Sequence, residues 1–321
     1  MHYLLGGFML LCSPLLTFAH TKWYATGDVT PLVSPPNSAL HVGVLLGLVA
    51  FAIAVGIILE RKQLLTLDFF HPKKPHSFER AASTFTMLMG VFLIIAGTHS
   101  YIFSPNLSFH TGVPMFFIVA QIIVGFSFLL GIMSRLAGII LMFLWILLFQ
   151  FIEPLLLLEN IWVLTTALFI MMMGNDYFSI FSFATLRTYA APYKKYALSL
   201  LRLGTGVTLV ILGFSEKILA PELGVNFLSQ HHWNFMHHMG FEFSDYLFTL
   251  AAGSVELLFG IVFILGVVTR LNALVVAVVF FIPIFILGPM ELAGHLPHFA
   301  AIILLLLFGN GGHFTIFRRQ E

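Results

Sequence analysis

The chain has 321 residues, of which 59% are hydrophobic and 9% charged, and its formal net charge is +1. Soluble domains carry roughly a quarter of charged residues, so this composition excludes a soluble globular protein. The near-zero charge gives no footing for nucleic acid, and a lipid bilayer is the expected surrounding.

Residues 3–19 (YLLGGFMLLCSPLLTFA) read as a signal peptide: a short apolar core, then Thr17 and Ala19 at the small-residue positions before a cut. Cleavage after Ala19 leaves a chain that starts at His20 and has lost Cys12, its one cysteine. Disulfide, dithiol and iron–sulfur chemistry are then excluded. A polar, proline-bearing lead follows (HTKWYATGDVTPLVSPPNSA).

Nine apolar stretches come next, near 39–59, 82–103, 114–133, 136–152, 161–174, 199–219, 245–267, 271–288 and 298–316. Each is expected to span, because a hydrocarbon layer of about 30 Å takes about 20 apolar residues. Their connections alternate. One set carries Arg61, Lys62, Lys73, Lys74, Arg80, Arg135, Arg187, Lys194, Lys195, Arg270, Arg318 and Arg319. The connections at 104–113, 153–160, 220–244 and 289–297 hold no Lys or Arg. By the positive-inside rule the first set is cytoplasmic. The expectation is a multi-pass protein of a bacterial inner membrane with a periplasmic mature N-terminus and a cytoplasmic C-terminus.

The chain also aligns with itself. QIIVGFSFLLGIMSRL (121–136) matches ELLFGIVFILGVVTRL (256–271) without a gap, and the same offset pairs Pro154 with Pro289 and Gly174–Asn175 with Gly309–Asn310. GVFLIIAG (90–97) pairs with GVTLVILG (206–213) at an offset nineteen residues shorter. The expected organisation is a signal at 1–19, a lead with the first helix and its loop at 20–79, a four-helix unit at 80–181, a linker at 182–196 and a second four-helix unit at 197–321. Both units begin on the same side, so the repeat is parallel, and sites in such proteins tend to lie at the repeat interface. The copies differ in chemistry. Gln121 stands where the second copy has Glu256, and His99, Ser100 and Tyr101 stand near the place of the Glu216–Lys217 pair. The second copy is therefore expected to carry the function and the first to support it.

LLRLGTGVTLVILGFSEKI, GSVELLFGIVFILGVVTRLNAL and HLPHFAAIILLLLFGNGGHFTI together resemble the DoxX-like membrane family. Arg202, Gly206, Gly213, Lys217, Glu256, Gly260, Gly266, Arg270, Gly309 and Gly312 carry the resemblance. It is clearest over 197–317 and weaker over 80–181. It implies an all-α polytopic fold and a link to quinone-coupled sulfur oxidation or redox homeostasis, with a further membrane or periplasmic redox subunit as an expected partner.

Glu256 is the one charged residue between Asp245 and Arg270. A charge at that depth costs about 3 kcal/mol, so it must be neutralised, paired or turned to a polar cavity. The functional reading makes Glu256 a proton acceptor or a ligand to a quinone head group or cation, with Arg202 and Lys217 completing a buried polar cluster. The plain alternative is a neutral acid hydrogen-bonded between helices. Glu216, His295 and His298 are candidate cofactor contacts.

HHWNFMHH (231–238) lies in the nineteen-residue insertion of the second copy. His231, His232, Met236, His237 and His238, with the terminal His20, form a candidate metal set, since imidazole and thioether suit copper. A polar outer loop anchored by Trp233 explains the same residues without a metal. Quinone and copper both stay open as cofactors, with haem behind them. A non-enzymatic copper carrier and a membrane scaffold are the alternatives to a redox component.

Overall fold

The computed structural model describes residues 38–105, 107, 114–288 and 290–317. The signal segment, His20, Arg318 and Arg319 lie outside that set. The described residues are helical, apart from connections and one isolated bridge between Ile132 and Phe181. The helices are α1 (Ser38–Arg61), α2 (Ser77–Thr98), α3 (Met115–Leu130), α4 (Ser134–Leu147), α5 (Pro154–Glu159), α6 (Trp162–Met173) and α7 (Ala184–Ala190). Then come α8 (Lys194–Leu212), a π-helical turn (Gly213–Leu219), α9 (Pro221–His231), α10 (Phe235–His238), α11 (Asp245–Leu265), α12 (Thr269–Leu287), α13 (Met290–Gly294) and α14 (Leu296–Phe308).

An apolar helix lies at each stretch expected to span. Ser38–Arg61, Ser77–Thr98, Ala184–Leu219 and Asp245–Leu265 have the length and composition to cross a membrane. Met115–Leu130, Ser134–Gln150, Trp162–Met173, Thr269–Phe285 and Leu296–Phe308 are shorter. The hydrophobic runs overstate helix length because they continue through the stops. Gly131 ends α3 at φ 64°, a left-handed conformation that suits glycine. The chain is a multi-pass membrane protein.

Between helices in lipid there is little hydrophobic drive, so close backbone approach carries the packing. α2 crosses α3 where Gly90 meets Gly125: a Cβ on either would fall 2.6 or 2.9 Å from the other's carbonyl oxygen. α8 crosses α11 in the same way at Gly206 and Gly260, with 2.7 and 2.6 Å. α4 packs on α6, and α12 on α14. α6 leans on α8, while α14 leans on α2. One buried core therefore runs through the whole helix set, from Phe85, Phe128, Trp162 and Phe169 to Leu201, Phe263 and Leu305.

The connections rich in Lys and Arg gather at one end, here called the basic end. Arg135 follows the α3–α4 turn and grips Asp176 at 2.6 and 2.8 Å and the Met173 carbonyl at 2.8 Å, while Asn175 donates to the Phe128 carbonyl at 3.1 Å. Burial pushes the Asp176 carboxyl up, but the Arg135 hydrogen bonds and charge, with Lys194 at 3.3 Å, outweigh it and hold it below the ordinary range. Around α12 the same corner is built differently. Asn310 donates to the Gly266 carbonyl at 3.1 Å, but glycines follow it where Asp176 follows Asn175. Arg270 is paired instead by Asp68, at 2.5 Å, from the loop after α1. Glu60, at the end of α1, accepts the Val268 N–H at 2.7 Å. These two acids and the packing of α1 on α11 tie the lead helix to the α11–α12 corner.

Candidate functional site

The π-helical turn is what brings charge together in an otherwise apolar interior. π turns are rare and recur at functional sites. Here α8 continues into Gly213–Leu219 and ends ahead of Pro221, which starts α9. Gly213 and Gly253 let this turn press on α11. A Cβ at Gly213 would lie 2.7 Å from the Gly253 carbonyl and 3.0 Å from the Glu256 Cβ; one at Gly253 would lie 2.7 Å from the Lys217 Cβ. With its stem laid over Gly253, Lys217 reaches Glu256, Nζ to Oε2, at 2.8 Å.

Two residues earlier, Ser215 donates from Oγ to Glu159 Oε1 at 2.9 Å. Glu159 is buried at the end of α5, and Glu216 is fully buried between Ser215 and Lys217. Glu256, Glu216 and Glu159 all bear electrostatically on the Lys217 ammonium. The site is thus one ammonium, three carboxylates and a hydroxyl, drawn from α5, the π turn and α11.

The Lys217 and Glu256 side chains remain 15% and 23% exposed. Gln121, at the aligned position, is 0% exposed. It accepts the Phe103 N–H at 2.9 Å and donates to the carbonyls of Leu93 and Tyr101 at 3.1 and 3.2 Å. That amide closes the end of α2 on itself; the acid at 256 leaves its counterpart open.

Arg202 does not join Glu256. It is fully buried towards the basic end, where Nε donates to the Asn310 carbonyl at 3.1 Å and Nη1 to the carbonyls of Phe263 and, at 3.0 Å, Ile264. Nη2 donates to His313 and Phe314 at 3.0 and 2.8 Å. Ile264 lies eight residues beyond Glu256, about 12 Å along a helix rising 1.5 Å per residue. The guanidinium fork is used up on backbone, so Arg202 clamps the ends of α11 and α14 onto α8.

His295 and His298 do come together, with ring centroids 6.4 Å apart. The His298 ring is tilted against Trp162 at 5.6 Å and meets Phe280 edge-on at 6.3 Å, and His295 is tilted against Phe280 at 5.5 Å. They form an aromatic group, whereas Glu216 goes with Lys217 and Glu256.

HHWNFMHH is not one helix, so distances along a continuous helix do not apply to it. His231 closes α9 with its ring 4.7 Å from Phe227, and His232 caps it at φ 50°. Trp233 packs 5.8 Å from Phe227. Asn234 is buried and donates to the Phe243 carbonyl at 2.7 Å and to Asp245 at 2.8 Å, pinning the loop to the start of α11. Met236 follows in α10, and the side chains of His237 and His238 lie outside the described set. Among the described residues, no three of His, Cys, Asp or Glu are placed to hold a metal ion.

Two site members had no sequence signal strong enough to single them out. Glu159 ends the run LLLLE in a short connection, and Ser215 is an ordinary helical serine by pattern. Two adjacent charges within an apolar helix, Glu216 and Lys217, were the trace left by the π turn.

The DoxX family model matches residues 197–289. This segment is DoxX-like. It runs from α8 through the π turn and α11 to the end of α12, and so contains Lys217 and Glu256. Residues 80–181, and α14, lie beyond the matched stretch. No curated protein and no solved structure matches the chain.

Proposed function

We propose that the protein is a redox-associated component of a bacterial inner membrane that binds a quinone head group at the Lys217–Glu256 pair of its DoxX-like segment. In this reading 80–181 and 197–321 are parallel four-helix units, and α1 with their eight spanning helices completes a nine-span topology. The matching Gly90–Gly125 and Gly206–Gly260 crossings support the two-unit arrangement. The Lys and Arg of the connections at the basic end support its cytoplasmic placement, which puts the far end, with HHWNFMHH, in the periplasm.

The observation that carries the reading is the partly exposed Lys217–Glu256 pair set beside the sealed Gln121. An ion pair in a membrane interior is costly to keep, and intramembrane ionisable residues mark functional pathways. The Lys217 ammonium can donate to a ring carbonyl oxygen, and Glu256 beside it can accept or return a proton as the ligand's charge changes. Bound quinone would supply two-electron redox chemistry. Orientation of the ring and exclusion of water would fall to Lys217, Glu256 and the glycine-paired helices around them.

Titration of a short-chain benzoquinone into the detergent-purified protein tests this. Charge-assisted hydrogen bonds contribute about 1.5–3 kcal/mol, so Glu256→Gln and Lys217→Met should each weaken binding by about ten- to a hundredfold. Wild-type affinity in both variants would refute the quinone site.

A further inference from the structure

We infer that Glu159, contributed by the first unit, is a positioning residue of the second unit's ligand site, so that the two units bind one ligand between them. The inference rests on reading Lys217 and Glu256 as ligand contacts.

Three consecutive residues of the π turn are committed to three directions. Ser215 is bonded to Glu159 at 2.9 Å, Glu216 is buried, and Lys217 is paired with Glu256 at 2.8 Å. An α-helix advances a fixed 3.6 residues per turn. A π turn is wider and keeps its shape where surrounding contacts hold it. The contacts on the α11 side are the glycine approaches at Gly213 and Gly253. On the opposite side, Ser215–Glu159 anchors the turn. Rotation about that anchor would carry Lys217 off Gly253 and away from Glu256. Glu159 is 1% exposed, so its carboxylate bears on Lys217 through a medium in which charges are weakly screened.

The arrangement is one-sided. Pro154 aligns with Pro289, which places Gly294 at the position of Glu159. Glu256 and Lys217 in turn have Gln121 and Tyr101 in the first copy. Each unit thus supplies what the other lacks at one seam, and neither supplies it at the other. One ligand per chain follows, although the helices come in two sets.

The test uses the full-length protein in detergent, the same short-chain benzoquinone, and Glu159→Gln, Ser215→Ala and Glu159→Asp. Glu159→Gln and Ser215→Ala should each weaken binding by about tenfold, with stoichiometry near one in the wild type and partial recovery in Glu159→Asp. In a Lys217→Met background, Glu159→Gln should cost nothing further, because its action passes through Lys217. Unchanged affinity with a lowered melting temperature would make Glu159 a packing residue and overturn the inference. Losses that add fully in the double variant would overturn it too. Should Glu256→Gln weaken binding while Glu159→Gln and Ser215→Ala do not, the inference falls and the quinone site stands. Should Glu256→Gln also bind normally, both fall.

Discussion

Arg135, Arg202 and Arg270 are all buried in a membrane protein, yet each is satisfied by a different kind of partner. Arg202 uses backbone carbonyls, Arg135 uses Asp176, and Arg270 uses Asp68 from a distant loop. The pairs should differ in strength. Asp176 is 11% exposed and Asp68 60%, so solvent screens the second pair far more. Breaking a buried pair costs about 3–5 kcal/mol, an exposed one about 0–1 kcal/mol. Asp176→Asn should therefore lower the melting temperature clearly more than Asp68→Asn, and equal losses would show that burial does not rank them. The pH dependence has the same origin. The folded Asp176 carboxyl sits below its unfolded value, so its stabilisation is present above the ordinary aspartate range and is lost as pH falls through the depressed value. Melts taken down that acid limb should steepen in the wild type and flatten in Asp176→Asn.

At the scale of elements, glycine decides where helices touch, and the same residue type does nothing where no partner approaches. Gly43 and Gly47 on α1 have no atom within 4 Å of a built Cβ, whereas Gly253 has the Lys217 Cβ at 2.7 Å and the Gly213 carbonyl at 2.8 Å. Gly253→Ala should part α11 from the π turn at a cost of about 1–3 kcal/mol and weaken quinone binding by moving Lys217. Gly47→Ala, with open space and a helical backbone, should be neutral or slightly stabilising. Thermal melts of both variants check the contrast, and equal destabilisation would sink it. The π turn itself shows why the residue pattern of α8 misleads: helical character continues on both sides of Glu216 and Lys217, while the backbone changes winding between its contacts with Glu159 and α11.

For the whole molecule, the seams matter more than the chain order. α6 leans on α8 and α14 on α2, and a single core crosses between the helix sets. Cutting the chain within the 182–196 linker should therefore leave two fragments that co-purify when expressed together, with neither monodisperse alone. A C-terminal fragment that is stable by itself would contradict this. The lead helix adds a second tie through Glu60 and Asp68, so the N-terminal fragment must retain α1.

Composition and the periodic loss of charge determined that this chain lives in a bilayer, because 9% charged residues cannot solvate a free surface. Self-alignment located the glycines of both crossings, since close approach leaves a mark in residue size. It also singled out Glu256 and Lys217, the rare charges in apolar runs. Tertiary structure alone decided the partners. A buried ion must be neutralised by whatever the fold brings near, and no local pattern says which carboxylate that is. So Arg202 turned out to hold backbone rather than Glu256, HHWNFMHH was organised by Asn234 and Trp233, and Glu159 came from the other helix set to anchor the turn that aims Lys217.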